Sequence, residues 1–153
     1  MPLSTLTLHP SYESNPKLAK AAHNLSTLLA AIAKKNIPES VEIKINVIIA
    51  GVNNFPGQPP QLLKQLKSAQ SAILKLLESE LGLVAKNHYQ LQWLAIGMAT
   101  FGIPLGVVFG ASLGNMAFLG IGLPIGMAIG IAIGTNKDKQ AEEEGKQLDW
   151  TAK

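Results

Sequence analysis

The chain has no cysteine, no arginine, few aromatic side chains, and a long internal stretch without charge. Lack of cysteine excludes disulfides, a thiolate metal site and a cysteine-borne lipid anchor. Lack of arginine removes the planar fork that reads phosphates and bases, so specific recognition of nucleic acid is not expected. The start, Met1-Pro2-Leu3-Ser4-Thr5, shows neither the basic residues nor the apolar run of a secretory signal, and targeting is expected to come from within the chain. His9, His23 and His88 lie far apart, and nowhere do a nucleophile, a base and an orienting acid cluster in sequence. No catalytic, cofactor or metal residue is assigned, and the expected function is not enzymatic.

What is present is unevenly placed. From Asn87 to Asn136 there is no Asp, Glu, Lys or Arg, a length sufficient for two membrane spans. Nine Lys and five acids precede this block, and four Lys and five acids follow it. A modest basic excess beside such a block suits anionic lipid headgroups. The expected organisation is a loose arm at 1–15, a helical soluble domain at 16–90, a transmembrane hairpin at 91–134 and a polar tail at 135–153.

In the soluble part, Asn15 can cap a helix that starts with Pro16, where the missing N–H costs nothing. Leu18, Ala21, Ala22, Leu25, Leu28, Leu29 and Ile32 then follow the three-four spacing of one apolar face, and Asn36 with Pro38 closes the helix. Leu3–Leu8 can form a short strand. Residues 41–55 carry two patterns. Val41, Ile43, Ile45 and Val47 alternate as in a strand, whereas Val41, Ile45, Ile48, Val52 and Phe55 are spaced as a helical seam. The helix is favoured, because a lone strand has no partner here. After the turn at 53–60, Leu62, Leu66, Ala69, Ile73, Leu76 and Leu83 mark a long third helix, with Glu80 breaking its heptad. A bundle helix is favoured over a self-associating coiled coil.

The apolar block contains an internal repeat. Gly102, Gly106, Gly110, Gly114 and Pro104 recur twenty residues on as Gly122, Gly126, Gly130, Gly134 and Pro124. One span length per copy predicts crossings at about 91–113 and 116–134, with a turn at Ser112-Leu113-Gly114-Asn115. Glycine at every fourth position lays a flat strip along one helix face, against which another helix approaches closely. Whether that helix is the other span or belongs to another subunit is open at this level. Pro104 and Pro124 are expected to kink the spans, or else to divide them into half-helices that line a cavity. Tyr89 and Trp93 are the rings expected at headgroup depth. Gly120-Ile121-Gly122 is no dinucleotide loop, because no strand precedes it and the third glycine is misplaced.

With these eight glycines, the block resembles an uncharacterised glycine-zipper family of small bacterial membrane proteins, over Lys86 to about Asp149. The resemblance implies membrane insertion and self-association, and no particular activity. The outer-membrane branch, with its signal and lipidated cysteine, does not fit. The resulting expectation is an all-α protein, a three-helix soluble part followed by a glycine-rich two-span hairpin. It would be a structural, scaffolding or regulatory protein of the bacterial inner membrane, self-associating through glycine-zipper packing between subunits, with both termini cytoplasmic. Its partners would be the lipid bilayer, further copies of itself and a cytoplasmic protein bound through the N-terminal helices. The alternative is a pore former that inserts its hairpin.

Overall fold

The computed structural model describes residues 3–7 and 15–152, and most of residues 15–143 are helical. The described residues form two compact units, one built from the chain up to Ala85 together with the segment from Leu148 onward, the other from Lys86–Gln147.

In the first unit, α1 (Pro16–Ala33) begins where Asn15 Oδ1 accepts the N–H groups of Lys17 and Leu18, at 3.1 and 3.4 Å. Its buried face holds Leu18, Ala21, Leu25, Leu28, Leu29 and Ile32. The ambiguous segment is the helix α2 (Glu39–Asn53). A strand would bury Ile43 and Val47 beside Val41 and Ile45, yet Ile43 is 47% and Val47 67% exposed. Ile49 is fully buried instead, and Ile48 only half-buried. Glu39 and Glu42 sit in the first turn, where the helix dipole favours them.

Helix α3 (Pro59–Leu81) packs on both α1 and α2. Its buried positions run Leu62, Leu66, Ala69, Ile73 and Leu77, so the seam steps to Leu77 where a heptad would take Leu76. That drift is the 3.6-residue period of an unsupercoiled helix and fits packing inside a bundle. Glu80, the break in the seam, pairs with Lys44 of α2. Gly82, at φ 64°, ends the helix.

Both chain ends differ from expectation. Residues 3–7 of the arm expected to be loose form no strand, and they are held along α2. Asn46 Oδ1 accepts the Ser4 N–H at 2.7 Å and Asn53 Oδ1 the Thr7 N–H at 3.0 Å, while Asn53 Nδ2 donates to the Thr5 carbonyl. The two asparagines are seven residues apart and so share one helix face. Leu3 and Leu6 pack at the edge of the core. Apart from Asn15, the rest of the arm, His9 included, lies outside the described residues.

Nor do residues 135–152, the described part of the expected polar tail, form one. They continue the last helix as far as Glu143 and then return to the first unit, where Leu148 and Trp150 are buried among the core residues. The Trp150 indole N–H is shared between the Asn24 carbonyl at 3.2 Å and Thr27 Oγ1 at 3.1 Å. Two short strands, β1 (Val84–Ala85) and β2 (Gln147–Leu148), pair as a minimal ladder.

The second unit is a helical hairpin. One arm is continuous from His88 to Ser112: α4 (His88–Gly97), a wider π-helical turn at Met98–Gly102, and α5 (Ile103–Ser112). The other starts with a single tight turn, Met116–Phe118, and continues as α6 (Leu119–Glu143). Gly114, at φ 65°, closes α5, with the Asn115 N–H reaching back to the Gly110 carbonyl. Asn115 Oδ1 then accepts the Ala117 N–H and caps the return helix, so the turn falls at the expected residues. Neither proline divides its helix, since Pro104 lies in the first turn of α5 and α6 runs unbroken through Pro124.

Candidate helix interface of the glycine hairpin

The glycine strips of the two arms face each other. Gly102, Gly106 and Gly110 are buried on the first arm, and Gly122, Gly126, Gly130 and Gly134 on the second. Their surroundings are main chain rather than side chains. A Cβ placed on Gly126 would stand 2.7 Å from Gly102 Cα, and one on Gly122 would stand 2.6 Å from Gly106 Cα. One on Gly130 would lie 2.9 Å from Leu94 Cα, and one on Gly134 would lie 2.6 Å from the Tyr89 carbonyl oxygen. Real Cβ contacts do not come so close, so only glycine permits this approach.

Two positions depart from the expected strip. Gly114 meets nothing within 4 Å, and its role is the left-handed backbone of the turn, which suits glycine. Gly97 is the strip residue that the fourfold spacing missed. It lies five residues before Gly102, where an α-helix would turn it off the face. The π turn absorbs the extra residue, with the Ile103 N–H bonding to the Met98 carbonyl, and returns Gly97 to the interface beside Gly126 and Gly130. The twenty-residue repeat thus has copies with different ends. Because the arms are antiparallel, Gly114 lies at the tip and its counterpart Gly134 at the base.

At the base, the ammonium of Lys137 lies over the rings of Tyr89 and Trp93, at 5.9 and 5.7 Å from their centroids. These rings are the expected interfacial pair, four residues apart on one face of α4. The neighbouring Asp138 is 7% exposed, and its two carboxylate oxygens accept the N–H groups of Tyr89 and Gln90 at 3.0 and 2.9 Å. Asn87, before α4, has φ 60° and makes no side-chain cap. The start of α4 is therefore capped by a charge from α6, where unpaired N–H groups and the positive dipole end favour an anion. Nothing in the sequence marks this residue beyond its place just after the apolar block. Further on, the exposed Lys146 donates to Glu144 Oε2 at 2.7 Å, and that carboxylate raises the Lys146 pKa above its ordinary value.

Asp138→Asn keeps the shape but gives up the charge and one acceptor. It is expected to lower hairpin stability by about 1–2 kcal/mol, measured by denaturant titration in detergent. A change near zero would show that the clasp contributes nothing.

The large apolar side chains point the other way. Val107, Val108, Phe109, Ile121 and Ile125 are exposed, as are Leu113 and Met116 beside the turn. Only 22% and 17% of the most apolar stretches of the two arms is buried within the fold. Both arms are long and apolar enough to cross a membrane: twenty-five and twenty-eight residues make about 37 and 42 Å against a hydrocarbon thickness of about 30 Å.

Comparisons of this chain with protein-family models, with curated proteins and with solved structures find no match.

Proposed function

We propose that this is an integral membrane protein whose hairpin crosses the bilayer twice and anchors the N-terminal helical unit at one membrane face, in a scaffolding or regulatory role. The observation that carries this reading is the inverted arrangement of the hairpin, with glycine inside and large apolar side chains outside. In water such a surface is a liability, and in hydrocarbon it is the favourable one. The path of the chain supports the same reading. Leu148 and Trp150, which follow the hairpin, share a core with Leu25 and Leu28, which precede it. That path supports both flanks lying on one side of the bilayer. The lysines of those flanks make that side the cytoplasm, and the likeness to glycine-zipper proteins favours a bacterial inner membrane.

The glycines that were expected to join subunits meet each other within one chain. Association with further copies would use the outer apolar faces, and a cytoplasmic partner would meet the N-terminal helices. The anchoring role is favoured over the pore because the strips close main chain to main chain and the spans carry no charge.

The test is topology, made clean by the absence of native cysteine. Single cysteines replace Ser71, Asn115 and Lys139, and a membrane-impermeant thiol reagent is applied to intact and to opened cells. Asn115→Cys alone is expected to label from outside. Labelling of the other two from opposite sides would overturn the double crossing.

A further inference from the structure

The first unit is completed by five residues that follow the hairpin. This strap, Leu148–Ala152, begins with the fully buried Leu148 and is held along α1 by Trp150 and its shared indole hydrogen bond. Further along, Ala152 lines a cavity of about 610 Å³ with Lys17, Lys20 and Asn24 of α1 and Leu63 and Lys67 of α3. The connections between strap, bundle and hairpin are short. Lys86 and Asn87 alone separate β1 from α4, and Glu144, Gly145 and Lys146 alone separate α6 from β2. At full extension such links reach only about 7 and 10 Å. Within the hairpin, the two arms are clasped at the same end by the Asp138 carboxylate on the start of α4, and Gln147 Nε2, in β2, donates back to the Asp138 carbonyl of α6 at 3.1 Å.

We infer that the strap is a latch whose docking on α1 depends on closure of the hairpin base. If the starts of α4 and the ends of α6 separate, the short links pass the displacement to the ladder and the strap. The strap yields first, since two buried side chains hold it whereas three helices share the core of the bundle. Its release uncovers the surface of α1 around Asn24 and Thr27. The state of the membrane segment is thereby transmitted to the N-terminal unit, which turns an anchor into a sensor. The inference deepens the regulatory reading above, but it rests on hairpin closure alone and not on the orientation of the hairpin in a bilayer.

The experiment uses the full chain in detergent micelles with Trp93→Phe, which leaves Trp150 as the sole indole because the chain has two tryptophans. Gly134→Leu drives a side chain into the Tyr89–Gln90 backbone at the base, beside the Asp138 clasp. Acrylamide quenching of Trp150 is expected to rise about three-fold as the strap undocks. In a second variant, a flexible Gly/Ser insert of about ten residues after Gly145 uncouples α6 from the strap. There the same Gly134→Leu change is expected to leave quenching at the parental level. Unchanged quenching in the first variant overturns the inference. So does an equal rise with the insert present, since that would report general unfolding. Failure of the double crossing would show separately, in the labelling of Asn115→Cys.

Discussion

Gly126→Ala and Gly130→Ala are each expected to destabilise the hairpin by about 3 kcal/mol, whereas Gly120→Ala in the same helix stabilises it by up to about 1 kcal/mol. All three exchange glycine for the best helix former, so propensity alone predicts a gain at each. What separates them is the space in front of the new methyl group. At Gly120 there is nothing within 4 Å. At Gly126 and Gly130 the methyl meets backbone of the other arm, which has no rotamer to give, so the helices must move apart along their length. Reversible unfolding in detergent, followed by far-ultraviolet circular dichroism, reads the three variants side by side. The loss should be the same at every protein concentration, because the opposing strip belongs to the same chain. A loss that scales with dilution would return the strip to an interface between subunits, and equal effects at Gly120 and Gly126 would remove the register altogether.

The parts of this fold that were legible in the sequence are those in which one periodicity decides. The face of α1 and the turn around Gly114 and Asn115 follow from spacing and capping chemistry alone. In α2 two periods overlapped on Val41 and Ile45, and only the exposure of Ile43 and Val47 separates them. The glycine strip was visible but its boundaries were not. A fourfold rule carries the strip on to Gly114, where the helix has already ended, and stops at Gly102, because it has no term for the extra residue of a π turn. Three further features depend on contacts across long stretches of chain, for which sequence spacing holds no signal. Asp138 caps a helix that begins fifty residues earlier in the chain, Asn46 and Asn53 hold residues 3–7, and Trp150 bonds to α1. Each is a polar contact that exists only after the apolar faces have brought the elements together. Residues 135–153 read as a polar tail for the same reason, since Leu148 and Trp150 are too few to make a pattern.

Truncation of that tryptophan, Trp150→Ala, is the other large effect expected, about 3–5 kcal/mol from the stability of the N-terminal unit. The indole is 6% exposed and lies against the same core as Leu25 and Leu28, so the variant loses its transfer free energy and leaves a cavity that α1, held by α3, cannot close. Trp150→Phe separates packing from hydrogen bonding. It keeps most of the ring but leaves the Asn24 carbonyl and Thr27 Oγ1 without the indole donor, and it should cost about 1–2 kcal/mol. Thr27→Val removes the side-chain acceptor while preserving shape. In the double variant with Trp150→Phe, the two losses should add to less than their sum, by about 0.5–1 kcal/mol. Urea titration of the full chain in detergent, read by circular dichroism, measures all four proteins. A cost below about 1 kcal/mol for Trp150→Ala would mean that the strap lies on the unit without completing it. A latch so weakly held could not report on the hairpin, because it would be open whether or not the base was closed. A cost near the upper figure has the opposite consequence. The hairpin must then be threaded and closed before the N-terminal unit reaches its full stability, and the order of assembly is set by a residue that follows the hairpin in the sequence.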